Sequence, residues 1–137
     1  MSLESAALSL QLAAEELREL AKILKETAYQ RRAWDLYEEM GGIAKVLPTI
    51  SLKRIVSVFL GFHKILLKLT KELEKFLEGK AEYAGAQKPL NNAIAAWNNC
   101  IKIIVSQLEE ELRRPQAERM VAEIVRFREE LRKLMLS

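Results

Sequence analysis

A row of basic residues in the middle of the chain has the spacing to bind a polyanion. No acidic residue occurs between Glu39 and Glu72. On a helix with about 100° per residue, five lysines of this region fall within about 60° of one another. These five residues, called the lysine stripe below, are Lys53, Lys64, Lys68, Lys71 and Lys75. Because lysines contact phosphates without reading bases, the stripe predicts a sequence-independent site for a nucleic-acid backbone.

The lysine stripe has three other interpretations. It is typical of a solvated helix face, since Glu74 and Glu78 balance the charge at its lower end. A second interpretation is a binding site for an acidic patch on a protein partner. A third interpretation is a cationic amphipathic helix at a membrane surface, with Phe59 and Phe62 on the apolar side. We disfavour the membrane, because a helical bundle needs that broad apolar side for its core.

Two neighbouring cations, Lys53 and Arg54, lie in the predicted first turn of the same helix. The helix dipole disfavours cations there, whereas the free backbone N–H groups of a first turn attract anions. The pair therefore predicts an anion pocket, with a tolerated exposed charge as the alternative.

A weakly charged surface on the next predicted helix suggests a subunit contact. From Tyr83 to Leu108 the chain contains no acidic residue. Interface cores are depleted in charge, so this surface favours self-association or a protein partner over ordinary uncharged surface. We assign the same role to an aromatic face earlier in the chain. The predicted interface residues of the two regions are Trp34, Tyr37, Asn91, Asn98, Asn99 and Ile103.

Arg128 lies on the apolar stripe of the last predicted helix, between Val121 and Met135. A buried guanidinium needs a carboxylate or another acceptor. The sequence predicts a salt bridge with a glutamate of a neighbouring helix, or an extended side chain whose charge reaches solvent. An interface or ligand contact is the alternative.

The sequence contains no recognisable catalytic motif. His63 is the only histidine and lies at the edge of an apolar face, which is typical of a packed residue. Cys100 has no partner cysteine and is expected to be an inert, small apolar side chain. No Gly-rich phosphate loop, zinc-spaced Cys/His set or nucleophile elbow is present. We therefore expect a non-enzyme with no metal and no cofactor.

Helical periodicity runs along almost the whole chain. The first apolar stripe changes phase near residues 29–32, which predicts a break or kink there, and Gly41–Gly42 are predicted to end this helix. Ser51 is the expected N-cap of the second helix, and Gly79 its stop. Pro89 suits the first turn of a third helix, and a fourth is expected beyond Pro115.

These patterns predict an all-α protein: a single domain over residues 1–137, folded as an antiparallel bundle of about four long helices. The chain has 137 residues, is 50% hydrophobic and carries a net charge of +3. Such a composition excludes a disordered chain and a disulfide scaffold. The predicted function is non-catalytic binding within an assembly, with a nucleic-acid backbone as the first partner and self-association or scaffolding as the alternative.

The N-terminal residues Met1–Glu4 lack the basic region of a secretory signal. No apolar run reaches the length that spans a bilayer. A single cysteine agrees with a reducing compartment. The sequence therefore predicts a cytoplasmic protein.

Overall fold

Five α-helices make up most of the protein. The computed structural model describes residues 2–115 and 117–136, and no strand occurs within these ranges. Short 3₁₀ turns at Leu47–Thr49 and Ala81–Ala86 connect some of the helices. The helices are α1 (Glu4–Ile23), α2 (Ala28–Val46), α3 (Leu52–Leu77), α4 (Gln87–Leu112) and α5 (Glu118–Arg132). The all-helical prediction is confirmed, and the predicted number of about four helices is corrected to five.

The break in the first predicted helix lies earlier than residues 29–32. α1 ends at Ile23, and α2 begins after Thr27, whose hydroxyl accepts a hydrogen bond of 3.2 Å from the backbone N–H of Tyr29. Glu26 has a φ of 62°, in the left-handed region that reverses the chain. The prediction was late because a change of phase becomes visible only at the next apolar positions, Ala33 and Trp34, downstream of the turn.

The prediction that Gly41–Gly42 end the helix is wrong, because α2 continues through both residues to Val46. Gly41 is buried where α2 packs on α1: a Cβ built there would lie 3.7 Å from the side-chain oxygen of Gln11. The helix ends instead at the turn that contains Pro48, since proline cannot continue the hydrogen-bond ladder.

The other predicted helix boundaries are close to those observed. The hydroxyl of Ser51 accepts from the backbone N–H of Arg54 at 3.2 Å and caps α3. Gly79 follows the end of α3 with a φ of 69°, which a glycine adopts without a steric penalty. Pro89 lies in the first turn of α4, where a missing N–H costs no helical hydrogen bond.

The helices form a closed ring in the order α1, α2, α3, α5, α4, and α4 returns to α1. Neighbours in the chain run antiparallel: Gln30 bonds back to the carbonyl of Ala21, and Arg32 pairs with Glu72. α1 and α3 therefore run in the same direction without being adjacent. One apolar core fills the ring. At its centre the Trp97 ring lies 5.0 Å from Phe59, centroid to centroid.

Candidate functional site

α3 presents the lysine stripe to solvent because its opposite side is buried in the core. Ile55, Phe59 and Leu66 on the apolar side are fully buried. The apolar side of α3 reaches a membrane only if the helices separate. All five lysines of the stripe and Arg54 are exposed. In the part of the chain that the structure describes, none of these six cations lies within ion-pair distance of a carboxylate.

An acidic residue near the stripe is held by another helix. Arg32 of α2 donates a hydrogen bond of 2.6 Å to the carboxylate of Glu72. This bond, together with the charges of Arg32 and Lys68, holds the pKa of Glu72 below its usual value. The carboxylate of Glu72 therefore joins α3 to α2, and the stripe keeps most of its positive charge.

The surface of α3 between the lysines also contains apolar and small residues. Leu60 and Ile65 are each 43% exposed. Nothing lies within 4 Å of a Cβ built at Gly61, so this part of the surface is open. The α3 surface can therefore receive an apolar side chain as well as an anion.

One cation that sequence reasoning missed lies beside the stripe. Lys133 and Lys71 line the same cleft, of about 340 Å³. The cleft lies between α3, α4 and residues 133–136, which we call the C-terminal segment. His63, Thr70 and Glu74 add polar groups to it. Lys133 follows the last helix, 62 positions after Lys71 in the chain, and the sequence contains no signal that relates the two positions.

At the start of α3, where the sequence predicts an anion pocket, one of the backbone N–H groups already has a partner within the chain. Lys53 and Arg54 are both exposed. However, the hydroxyl of Ser51 already accepts the N–H of Arg54, one of the groups that an anion would bind. We therefore treat Lys53 as the N-terminal residue of the stripe and Arg54 as a cation beside it, and we assign no separate pocket.

His63 anchors the C-terminal segment. Its Nδ1 lies 2.8 Å from the carbonyl oxygen of Leu134, and the indole N–H of Trp97 donates to the same oxygen at 2.8 Å. Because a carbonyl only accepts, Nδ1 of His63 carries the proton in this arrangement. One buried carbonyl thus joins α3, α4 and the C-terminal segment.

The three predicted interface asparagines all form hydrogen bonds within the chain, and two of them bond to other segments of the protein. Asn98 donates to the carbonyl of Leu136 at 2.6 Å and accepts from its N–H at 2.7 Å. Asn99 donates to the hydroxyl of Ser9 on α1 at 2.7 Å. Asn91 is exposed and accepts from Gln87, one turn before it. Ile103 is half-buried against the core.

Replacing Asn98 with alanine is expected to lower the free energy of unfolding by about 1–2 kcal/mol, because both bonds to Leu136 are lost. The amide of Leu136 should then exchange its hydrogen faster. Hydrogen exchange measured by NMR, together with urea unfolding, checks both effects. Asn91→Ala is the matched control, since Asn91 accepts its hydrogen bond from Gln87, an exposed side chain of its own helix. Equal effects of the two substitutions would contradict the anchoring role.

The aromatic residues of α2 are half-buried. The Trp34 and Tyr37 rings meet edge to face at 5.5 Å, and the Trp34 indole donates to Glu38 at 2.9 Å. The guanidinium of Arg18, on α1, lies over the Tyr37 ring at 5.8 Å. These residues thus contribute to the contact between α1 and α2 and keep part of their surface exposed.

Arg128 is half-buried and lies close to a carboxylate of its own helix. Its Nε is 3.4 Å from Glu129, within ion-pair distance, and no described atom forms a well-aligned hydrogen bond with this buried nitrogen. The expected pairing with a glutamate of a neighbouring helix is thus replaced by a pairing with the next residue. On α5, Arg132 forms an ion pair with a neighbouring helix: one of its terminal guanidinium nitrogens lies 2.5 Å from the carboxylate of Glu109 on α4.

The Cys100 thiol is buried within α4. Burial raises the pKa of the Cys100 thiol to about 12, so the thiol is protonated at neutral pH and is a poor nucleophile. Among residues 2–115 and 117–136, no group of three or more His, Cys, Asp or Glu side chains could hold a metal ion. No helix in these ranges is both long and apolar enough to cross a membrane.

The chain matches no protein-family model, no curated protein and no solved structure.

Proposed function

We propose that this protein is a non-catalytic binding protein that contacts a nucleic-acid backbone through the lysine stripe on α3, as a small subunit of a larger assembly. One observation carries the proposal: the lysines of the stripe are exposed and free of ion pairs in the described structure, while Glu72 beside them is bonded to α2. A row of exposed cations with few carboxylates beside it produces a positive potential along α3, and such a potential attracts a polyanion.

The length of the stripe suits several phosphates. Lys53 and Lys75 are 22 residues apart, which corresponds to about 33 Å at 1.5 Å per residue. Lys133 extends the basic surface sideways, across the cleft it shares with Lys71. Each phosphate contact releases condensed counterions, so affinity depends on salt and little on base sequence.

Fluorescence anisotropy with labelled single- and double-stranded oligonucleotides tests the proposal. With about six phosphate contacts, affinity for the duplex is expected to fall about 10³-fold between about 50 and 200 mM salt. An oligonucleotide with an uncharged methylphosphonate backbone is the matched control and should not bind. No change of anisotropy at the lower salt would refute the proposal.

A second candidate function is self-association, and a specific observation favours it. Leu8 and Leu12 on α1 are 69% and 60% exposed, the largest values among the exposed large apolar side chains of the described residues. These two leucines lie one helical turn apart, so a contact with another protein would remove both from solvent together.

A further inference from the structure

The outer face of α1 changes from apolar to acidic along the helix. Leu8 and Leu12 are its exposed apolar residues. Glu16 and Glu19 continue the same face toward the C-terminal end of the helix, at intervals of four and three residues. Glu19 is exposed and forms an ion pair with Lys22 of its own helix, at 3.2 Å. We call these four residues the acidic α1 face.

The outer face of α3 has the same spacing, and its last two positions carry the opposite charge. Leu60, Lys64, Lys68 and Lys71 follow one another at intervals of four, four and three residues. The intervals between Leu8, Leu12, Glu16 and Glu19 are identical. In parallel alignment Leu8 therefore faces Leu60, and Glu16 and Glu19 face Lys68 and Lys71. Leu12 faces Lys64, whose aliphatic stem can pack against a leucine while its ammonium group stays in solvent.

We propose that a second copy of this chain docks its acidic α1 face on the lysine stripe of α3. Leu8 packs on Leu60, and Leu12 reaches the open surface at Gly61 and the exposed Ile65. Glu16 and Glu19 pair with Lys68 and Lys71. The contact thus combines apolar burial at one end with opposite charges at the other.

The fold places the two faces so that this contact forms with little rotation of the second copy. α1 and α3 run in the same direction and are not adjacent in the ring. They also lie at the same level: Gln11 packs on Gly41, and Gly42 shares a cleft with Val58 and Phe62. A copy displaced sideways places its α1 beside α3, and a shift of about 4.5 Å, or three residues, completes the alignment.

The contact is heterologous, because each copy uses α1 on one side and α3 on the other. Such contacts build rows that grow by adding copies, or close into a ring if the rotation allows. A two-fold contact between two α3 faces would place lysine near lysine. One between two α1 faces would set glutamate against glutamate if the helices are parallel, or against leucine if they are antiparallel, so neither symmetric contact pairs opposite charges. Charge complementarity therefore selects the heterologous arrangement over both symmetric ones.

Lys68 and Lys71 belong to both sites, so a polyanion and a second copy compete for them. The two proposals stand independently: a row forms whether or not nucleic acid binds, and nucleic acid can bind a single copy. When both hold, an oligonucleotide is expected to shorten the rows.

Sedimentation velocity with charge-reversed variants tests the docking. A single helix pair is a small contact, so wild-type protein is expected to form species larger than the monomer only at high concentration and low salt. The acidic-face variant Glu16→Lys/Glu19→Lys and the stripe variant Lys68→Glu/Lys71→Glu should each be monomeric. Their equimolar mixture should assemble again, because each variant then offers a charge that the other lacks.

A matched control carries the same charge change elsewhere. Glu110→Lys/Glu130→Lys alters two exposed glutamates away from both faces and should assemble like wild type. A mixture that stays monomeric, or a single variant that assembles like wild type, would overturn the proposal.

Leu8→Gln/Leu12→Gln separates the docking of a second copy from nucleic-acid binding, since it should abolish assembly and leave oligonucleotide binding unchanged. If the oligonucleotide binds neither the wild type nor any variant, the proposed function is refuted, and the docking of a second copy is unaffected.

Discussion

Trp97→Ala is expected to lower the free energy of unfolding by about 4 kcal/mol, because it truncates a large side chain at the centre of the core. Trp97 is completely buried and contacts the rings of both Phe59 and Phe62. Its truncation leaves a cavity inside the ring of helices. It also removes one of the two donors to the carbonyl of Leu134, which loosens the C-terminal segment.

Urea unfolding followed by circular dichroism measures this loss, and the other tryptophan is the matched control. Trp34 is half-buried, and its indole bonds to an exposed glutamate of the same helix, so Trp34→Ala should cost far less. Trp97→Phe keeps one aromatic ring, so it is expected to lose about 1–2 kcal/mol for the hydrogen bond and a further, smaller amount for the reduced ring volume. A Trp97→Ala protein nearly as stable as wild type would show that this core is not packed as described.

Lys64→Glu/Lys68→Glu/Lys71→Glu is expected to weaken oligonucleotide binding on the order of 10³-fold at low salt. The three side chains are exposed, so their replacement should leave the fold intact. Because three phosphate contacts are removed, the slope of log affinity against log salt should also fall by about three. Anisotropy titrations at several salt concentrations measure both quantities, and circular dichroism verifies the fold.

The control for this variant reverses three exposed lysines outside α3. Lys25→Glu/Lys88→Glu/Lys102→Glu changes the net charge by the same amount, so it separates a localised site from general attraction to a basic protein. The control should keep most of the affinity and most of the salt slope. Equal losses in both triple variants would show that binding depends on net charge alone, and the lysine stripe would lose its assigned role.

Much of the helix pattern was predictable because it depends on interactions between residues near one another in the chain. The Ser51 cap, the Gly79 stop and the position of Pro89 each follow from backbone geometry within one turn. The buried positions of α3 also follow from periodicity. The failure at Gly41–Gly42 has the opposite cause: Met40, Gly41 and Ala44 are buried against the rest of the protein. Tertiary packing of this kind outweighs the low helix propensity of glycine, and the sequence of a single helix does not reveal it.

The sequence by itself determined the all-helical fold and the lysine stripe, because both depend on the position of residues around a single helix axis. Only the tertiary structure decided which groups from different helices meet. It brought Lys133 to the cleft of Lys71, bound Asn98 to Leu136, and set α1 parallel to α3 at one level. These contacts depend on the order of the helices around the core and on their positions along its axis. Both are determined by packing among many residues that are distant in the chain, so no single segment of the sequence reveals them.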